Sequence, residues 1–243
     1  MVVQGGSQMK KGDLRRVGIL DTAEKLFFER GYEETSVQDI LDEMGLSKGG
    51  FYHHFESKMA VLNAVSVRRA EGRFAVAIRE IRSSSLGAVE KLNRLFSLLN
   101  LFEREAPEFV SMVLNVCYRN GDAALLECTK SVTMEKLSPL MDEIVQQGMR
   151  EGVFYTRQPG GIGRLILLLA HDVNDDAARL LVEGCGKPEC VVQVVDALNV
   201  YRDTVELILN APYGSVRLFD VDRVLKVCRA VLKDFEPPKE EDA

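Results

Sequence analysis

The chain has few cysteines and no arrangement that would pair or metallate them. Its five (Cys117, Cys128, Cys185, Cys190 and Cys228) form no C-x-x-C pair and have no accompanying histidines. An odd count without a secretory signal excludes a disulfide framework and fits reduced thiols. The opening MVVQGGSQMKK lacks a seven-residue apolar core, and the longest purely apolar run, Leu165 to Ala170, is far too short to cross a bilayer. A soluble, cytoplasmic protein with no membrane partner is the expectation. Catalytic signatures are missing too: no phosphate loop, no G-x-S-x-G elbow, no H-E-x-x-H and no carboxylate pair in an evident cleft. No catalytic residue, cofactor or metal is therefore assigned. There is no internal repeat, and no run reads as a strand, so an all-α fold is expected.

At 243 residues the chain can hold one small domain and one larger one. Residues 12–62 are read as the first and 63–236 as the second, with tails at 1–11 and 237–243. The net charge is −6, yet residues 10 to 69 carry ten Lys and Arg against ten Asp and Glu. This stretch is neutral while the remainder holds the acidic excess. Its positive charge is concentrated at Lys10, Lys11, Arg15, Arg16, Lys48 and Lys58.

A first helix from about Asp13 to Arg30 places Ile19, Leu20, Ala23, Leu26 and Phe27 inward. Gly31 ends it, with Tyr32 folding back on Phe27. The segment 35–58 then reads as three short helical pieces joined by two tight joints. In the first, Val37, Ile40, Leu41 and Met44 make one apolar stripe, and Ser36 with Asp39 forms a capping box. Gly45 supplies a left-handed ending, and Ser47 caps the next piece, with Leu46 placed to staple onto Phe51.

Within that second piece Phe51 and Phe55 share an inward face. Lys48, Gly49, Gly50, Tyr52, His53 and His54 are left to find other partners. Two adjacent glycines in a short helix cost roughly 1 kcal/mol each relative to alanine, and close backbone approach to a partner would offset that. Lys48 with hydroxyls from Thr35, Ser36, Ser47 and Tyr52 suits a phosphate backbone and an adjacent groove. Ser57 and Lys58 open a third helix. Two short helices joined by a turn, the second carrying the polar face, describe a helix-turn-helix.

The string TSVQDILDEMGLSKGGFYHHFESK also resembles the fingerprint of the TetR family of transcriptional regulators. That fingerprint has this Thr-Ser opening, Asp-Ile, Gly, Ser-Lys-Gly, Tyr-x-His-Phe and a final Lys at these spacings. The resemblance covers about residues 14 to 62 and departs at Leu41 and Met44, where the family usually has alanine. It implies that Lys48, Tyr52, His54 and Lys58 contact DNA, helped at the backbone by Thr35, Ser36, Gln38 and Ser47. His53 joins them on the helical wheel, opposite Phe51 and Phe55. The resemblance further implies a double-stranded operator, a homodimer formed through the last long helices, a repressor more than an activator, and a small-molecule effector. An architectural DNA-binding protein of the same fold with no effector is the alternative.

Beyond Ser57 the pattern stays helical to about Arg82, and Ser83 to Ser85 break it. The next helix carries Leu86, Val89, Leu92, Leu95, Phe96, Leu99 and Phe102. Pro107 suits a first helical turn, and Gly121 closes that helix. A long segment runs on to about Arg150, where Pro139 marks either a kink or a meeting of two helices. After a loop marked by Gly152, Pro159, Gly160 and Gly161, two helices carry narrow stripes. One is Ile162, Leu165, Ile166, Leu169, Val173, Ala177 and Leu180. The other is Val191, Val194, Val195, Leu198, Tyr201, Val205 and Ile208. Such seams suit a four-helix bundle, either between two chains or by packing within one. A last helix covers about Asp220 to Phe235.

An effector pocket among these helices would draw on Phe96, Phe102, Phe109, Met112, Val116, Met134, Met141 and His171, for each of which plain core is the better reading. His171 and Asp175 have a chelating spacing, but Asp175 and Arg179 have the same one and would form a surface pair.

Overall fold

A computed structural model describes residues 11–99, 107–119, 123–183 and 189–235. Among these residues every regular element is helical. The chain divides after Arg68 into two compact units, and the division falls inside a helix.

In the first unit α1 (Lys11–Arg30) is followed by α2 (Val37–Met44), α3 (Lys48–Tyr52) and the start of α4 (Lys58–Ser83). Ile19, Leu20, Ala23, Leu26 and Phe27 of α1 are buried, as are Ile40, Leu41, Phe51, Phe55, Val61, Leu62 and Val65. The joints close as local chemistry dictates. Gly31 (φ 88°) lets its N–H reach the Phe27 carbonyl at 3.0 Å, and the Tyr32 ring packs edge-on against Phe27 at 5.2 Å. At the end of α2, Gly45 (φ 61°) donates to Asp42 O and Leu46 donates to Leu41 O, the paired bonds of a Schellman cap. Gly18 in α1 completes the fit: a Cβ there would stand 3.0 Å from the Met44 methyl, so the bulkier Met44 is accommodated by a missing side chain opposite. Arg68 on α4 grips α1 with a fork, one arm on Asp21 at 2.6 Å and the other on Glu24.

The second unit holds the rest of α4, then α5 (Ala88–Leu99), α6 (Pro107–Leu114) running into a π-helical turn at Asn115–Arg119, and α7 (Ala123–Glu151). Then come α8 (Ile162–Glu183), α9 (Glu189–Leu209) and α10 (Val221–Phe235). Pro139 lies inside α7, which continues as one helix past it. One apolar cluster joins α4, α5, α7, α8 and α9, with Leu92, Leu95, Leu137, Ile144, Ile166 and Val205 among its members. A second joins α6, α8, α9 and α10 through Val110, Ala177, Val194 and Val224.

Two expectations need correction here. Leu86 precedes α5 instead of lying on its inner stripe. On α8 the buried side is Gly163, Ile166, Leu167, Ala177, Ala178 and Leu181, while Leu165 faces solvent. The run Leu165 to Ala170 is apolar all the way round, so its pattern allowed either side to turn inward. Cys117, Cys190 and Cys228 are buried thiols and Cys128 is an exposed one, whereas Cys185 lies outside the described residues. Burial pushes the Cys228 thiol up to about 12. No helix among the described residues is long and apolar enough to cross a membrane.

Candidate nucleic-acid interface

The interface is built on the α2 to α3 joint. Ser36 and Asp39 cap α2 reciprocally: the Ser36 hydroxyl accepts the Asp39 N–H at 3.1 Å, and the Asp39 carboxylate accepts the Ser36 N–H at 2.7 Å. The hydrogen bond from the Ser36 hydroxyl, followed by that from its backbone, holds the Asp39 carboxyl below the usual carboxylate range. Gln38 is exposed on the first turn, its amide donating to Asp42 at 2.7 Å. Ser47 caps α3 by accepting the Gly50 N–H at 3.3 Å.

α3 is anchored by one ring. Phe51 has no exposed surface and lies 6.2 Å from Phe55, while Tyr52, the next residue, is 55 % exposed. Ser47, Lys48, Gly49 and His53 are exposed as well, and Gly50 and His54 are half-exposed. The two imidazoles stack edge to face at 4.9 Å. The first turn of α1 comes close to this group, since a Cβ on Gly12 would stand 3.9 Å from His54, and the Arg16 guanidinium covers the Phe55 ring at 5.1 Å.

The glycines are informative. A Cβ at Gly49 would meet nothing within 4 Å, and one at Gly50 only the Ser47 hydroxyl at 3.4 Å and Leu46 at 4.0 Å. The protein's own packing therefore gives no reason for two glycines in this helix.

Two of the expected contacts have partners within the first unit. Thr35 is fully buried; its hydroxyl donates to Gly31 O at 2.8 Å and also reaches Leu26 O, so it caps the end of α1 instead of facing a backbone phosphate. Lys58 is half-buried with its ammonium 2.7 Å from Tyr32 O and 4.1 Å from the centre of the Tyr32 ring. Burial lowers its pKa more than Glu33 and Glu34 raise it.

Among the candidate effector residues, Phe96, Met134 and Met141 share the larger cluster of the second unit, and the Phe96 ring meets Tyr201 edge-on at 6.1 Å. Val116 is buried on the π-helical turn and Met112 is half-buried on α6. Phe102 and the Phe109 side chain lie outside the described residues. His171 is half-buried on α8, and burial, then Lys130, lowers its pKa. Asp175 is taken by two partners, the Tyr118 hydroxyl at 2.6 Å and Arg179 Nε at 3.0 Å, which is the surface pair its spacing allowed. Among the described residues no cluster of three or more metal-type ligands occurs.

Sequence reasoning missed the polar pins of the second unit. Glu206, 4 % exposed, accepts from the Gly214 N–H at 3.0 Å and the Val216 N–H at 2.9 Å. Asn93 grips the same loop, donating to Ser215 O and accepting from the Arg217 N–H. An acid within a stripe of valines was the available signal for Glu206. Asn93 left none, because its partners lie more than 120 positions away.

Residues 19–65 match the family described as bacterial regulatory proteins of the tetR family. Over 81 residues the chain is 38 % identical to the HTH-type transcriptional repressor KstR2 of Rhodococcus jostii, a stretch that is 33 % of this chain and 39 % of that one. Over 142 residues it is 28 % identical to the KstR2 repressor of Mycolicibacterium smegmatis, covering 58 % of this chain and 67 % of the relative. The first of these matches thus spans well under half of the relative's own length. Among solved structures, a TetR-family transcriptional regulator from Pectobacterium atrosepticum superposes with a TM-score of 0.60 at 19 % identity, over 84 % of this chain and all of the other.

Proposed function

The chain belongs to the TetR family of transcriptional regulators, and from that premise we infer that it is a dimeric repressor that grips a palindromic operator through α3 and releases it to a small molecule. It acts in the cytoplasm by binding, with no catalytic step. The observation that carries the DNA reading is α3 itself, a helix anchored by fully buried Phe51 that turns Lys48, Gly49, Tyr52 and His53 to solvent. A five-residue helix holding two glycines that its own packing does not require is suited to close approach by a partner's backbone. Lys48 would neutralise a phosphate, Ser36, Gln38 and Ser47 would bond the sugar-phosphate chain, and Tyr52, His53 and His54 would face the groove.

The dimer reading draws on α9, whose outward side carries Val192, Val200 and Leu207 in the open, at helical spacing. Apolar residues in such a row suit a second copy of the same helix. Two recognition helices then stand about 34 to 36 Å apart, or a multiple of it, on a nearly symmetric site. Selection of duplexes from a randomised pool tests this directly: enrichment of a palindrome supports it, and no preference over competitor DNA overturns it.

One observation favours a regulator without an effector. Phe96, Met134 and Met141 are all buried in a shared cluster, as a filled core would have them. A panel of small molecules separates the two readings, because an effector must shift the operator affinity in order to switch. Operator binding that no member of the panel alters assigns the filled core.

A further inference from the structure

The first unit holds two kinds of cation. Lys25 pairs with Glu43 at 2.9 Å, Arg30 with Asp39 at 3.9 Å, and Arg68 with Asp21 at 2.6 Å. Lys48, Arg15 and Arg16 are exposed and meet no carboxylate among the described residues; Asp13, the acid of the first turn of α1, pairs with neither arginine. These unpaired charges bracket α3. Lys48 opens it, and beyond its other end a Cβ on Gly12 would stand 3.9 Å from the His54 ring. Arg15 and Arg16 follow Gly12 by three and four residues, which puts both on the same side of α1. The Arg16 guanidinium stands 5.1 Å from the centre of the Phe55 ring, itself 6.2 Å from the Phe51 ring that anchors α3. Arg16 is thereby fixed with respect to α3 by a ring contact that uses none of its N–H donors.

We propose that Arg15 and Arg16, in the second turn of α1 and outside the helix-turn-helix, form a second phosphate grip on the duplex. This rests on the reading of α3 as the DNA-contacting helix. A major groove about 12 Å wide that admits α3 brings a sugar-phosphate strand to each side of it. Lys48 serves the strand at the start of α3, and the arginine pair serves the strand at its end. A guanidinium suits that place, because its planar fork can bond two phosphate oxygens at once. Each phosphate neutralised releases counterions, which steepens the dependence of log K on log salt by about 0.9. A cation already neutralised by a carboxylate adds nothing to that slope.

The test measures binding to the duplex that the wild type selects from a randomised pool, at several salt concentrations. Arg15→Gln and Arg16→Gln are each expected to lower the slope by about 0.9, and the double variant by about 1.8. Arg16→Lys keeps the charge and should keep the slope. Lys25→Gln with Glu43→Gln removes a neutral pair from the same unit and should leave the slope as it was. A wild-type slope in the double arginine variant overturns the grip, even where affinity has fallen. An equal loss of slope in the neutral-pair control makes the effect non-local and also overturns it. Arg15 has no polar partner among the described residues, so Arg15→Gln should leave the Tm unchanged. That variant carries the test even if Arg16→Gln, which loses the Phe55 contact, does not fold. A wild type that selects no duplex defeats the DNA reading and the grip together. Lys48→Ala losing about 0.9 of slope beside a double arginine variant that loses none defeats the grip alone.

Discussion

On the proposed DNA reading, Gly49 would serve function at the expense of stability. Space for a methyl group is open there, so Gly49→Ala is expected to stabilise the free protein by about 0.5 to 1 kcal/mol, seen as a higher Tm. The same methyl stands where a nucleic-acid backbone would approach, and operator affinity should fall. A variant that is both more stable and at least as tight would show that the glycine serves no close contact. Thr35 works in the opposite sense. Thr35→Val removes a buried donor from Gly31 O and Leu26 O and should cost about 1 to 3 kcal/mol in stability, with the salt slope of DNA binding unchanged. His171 offers a pH readout. Lys130, Glu127 and Asp175 face it, and burial keeps its folded pKa below 6.5, so protons bind the unfolded chain first. Its contribution is present above that value and lost as pH falls through the lowered folded value. His171→Gln should flatten the fall of Tm on acidification from about pH 7, the region where an ordinary histidine titrates.

At the level of elements, the helices of the second unit are held in register by contacts that reach across sequence. Glu151 at the end of α7 accepts the Ala88 N–H at 2.8 Å and so caps α5, while Asp142 accepts the Gly163 N–H at 3.0 Å at the start of α8. That backbone bond, then Gln147, holds the Glu151 carboxyl below its usual range, so the cap is present above that range and lost as pH falls through the lowered value. Gly148 is the tightest point. A Cβ there would lie 2.0 Å from the Phe154 ring, which the Schellman bonds of Gly152 and Val153 fold back onto α7. Gly148→Ala should therefore cost about 1 to 3 kcal/mol or more, measured by thermal or urea unfolding, because a ring packed into the core has nowhere to move.

For the molecule as a whole, a net charge of −6 and a neutral segment 10–69 mean that, on the proposed reading, attraction to DNA would come from placement of a few cations, not from bulk charge. In the proposed dimer, affinity would then depend on engaging two sites at once. Leu207 is 80 % exposed and Val200 65 % exposed, on a helix whose inner side packs normally. Leu207→Asp is expected to turn a dimer into a monomer by light scattering with the circular dichroism of the folded chain retained. Operator affinity should drop steeply, because each monomer would reach only one half-site.

Local chemistry alone determined the joints of the first unit. Capping boxes, left-handed glycines and an aromatic fold-back act over three to six residues, so Ser36 with Asp39, Gly31, Gly45 and Ser47 declare themselves in the string and appear as read. Tertiary structure decided what those local rules leave open. The burial of Thr35 and the inward turn of Lys58 depend on groups 4 to 26 positions away, and a polar side chain carries no mark of which partner it will meet. In the second unit, the choice of inner face on α8 and the pinning of the loop after α9 by Glu206 and Asn93 arise only once distant helices pack. An apolar run fits either way in, and a buried acid is stable only where backbone donors converge on it.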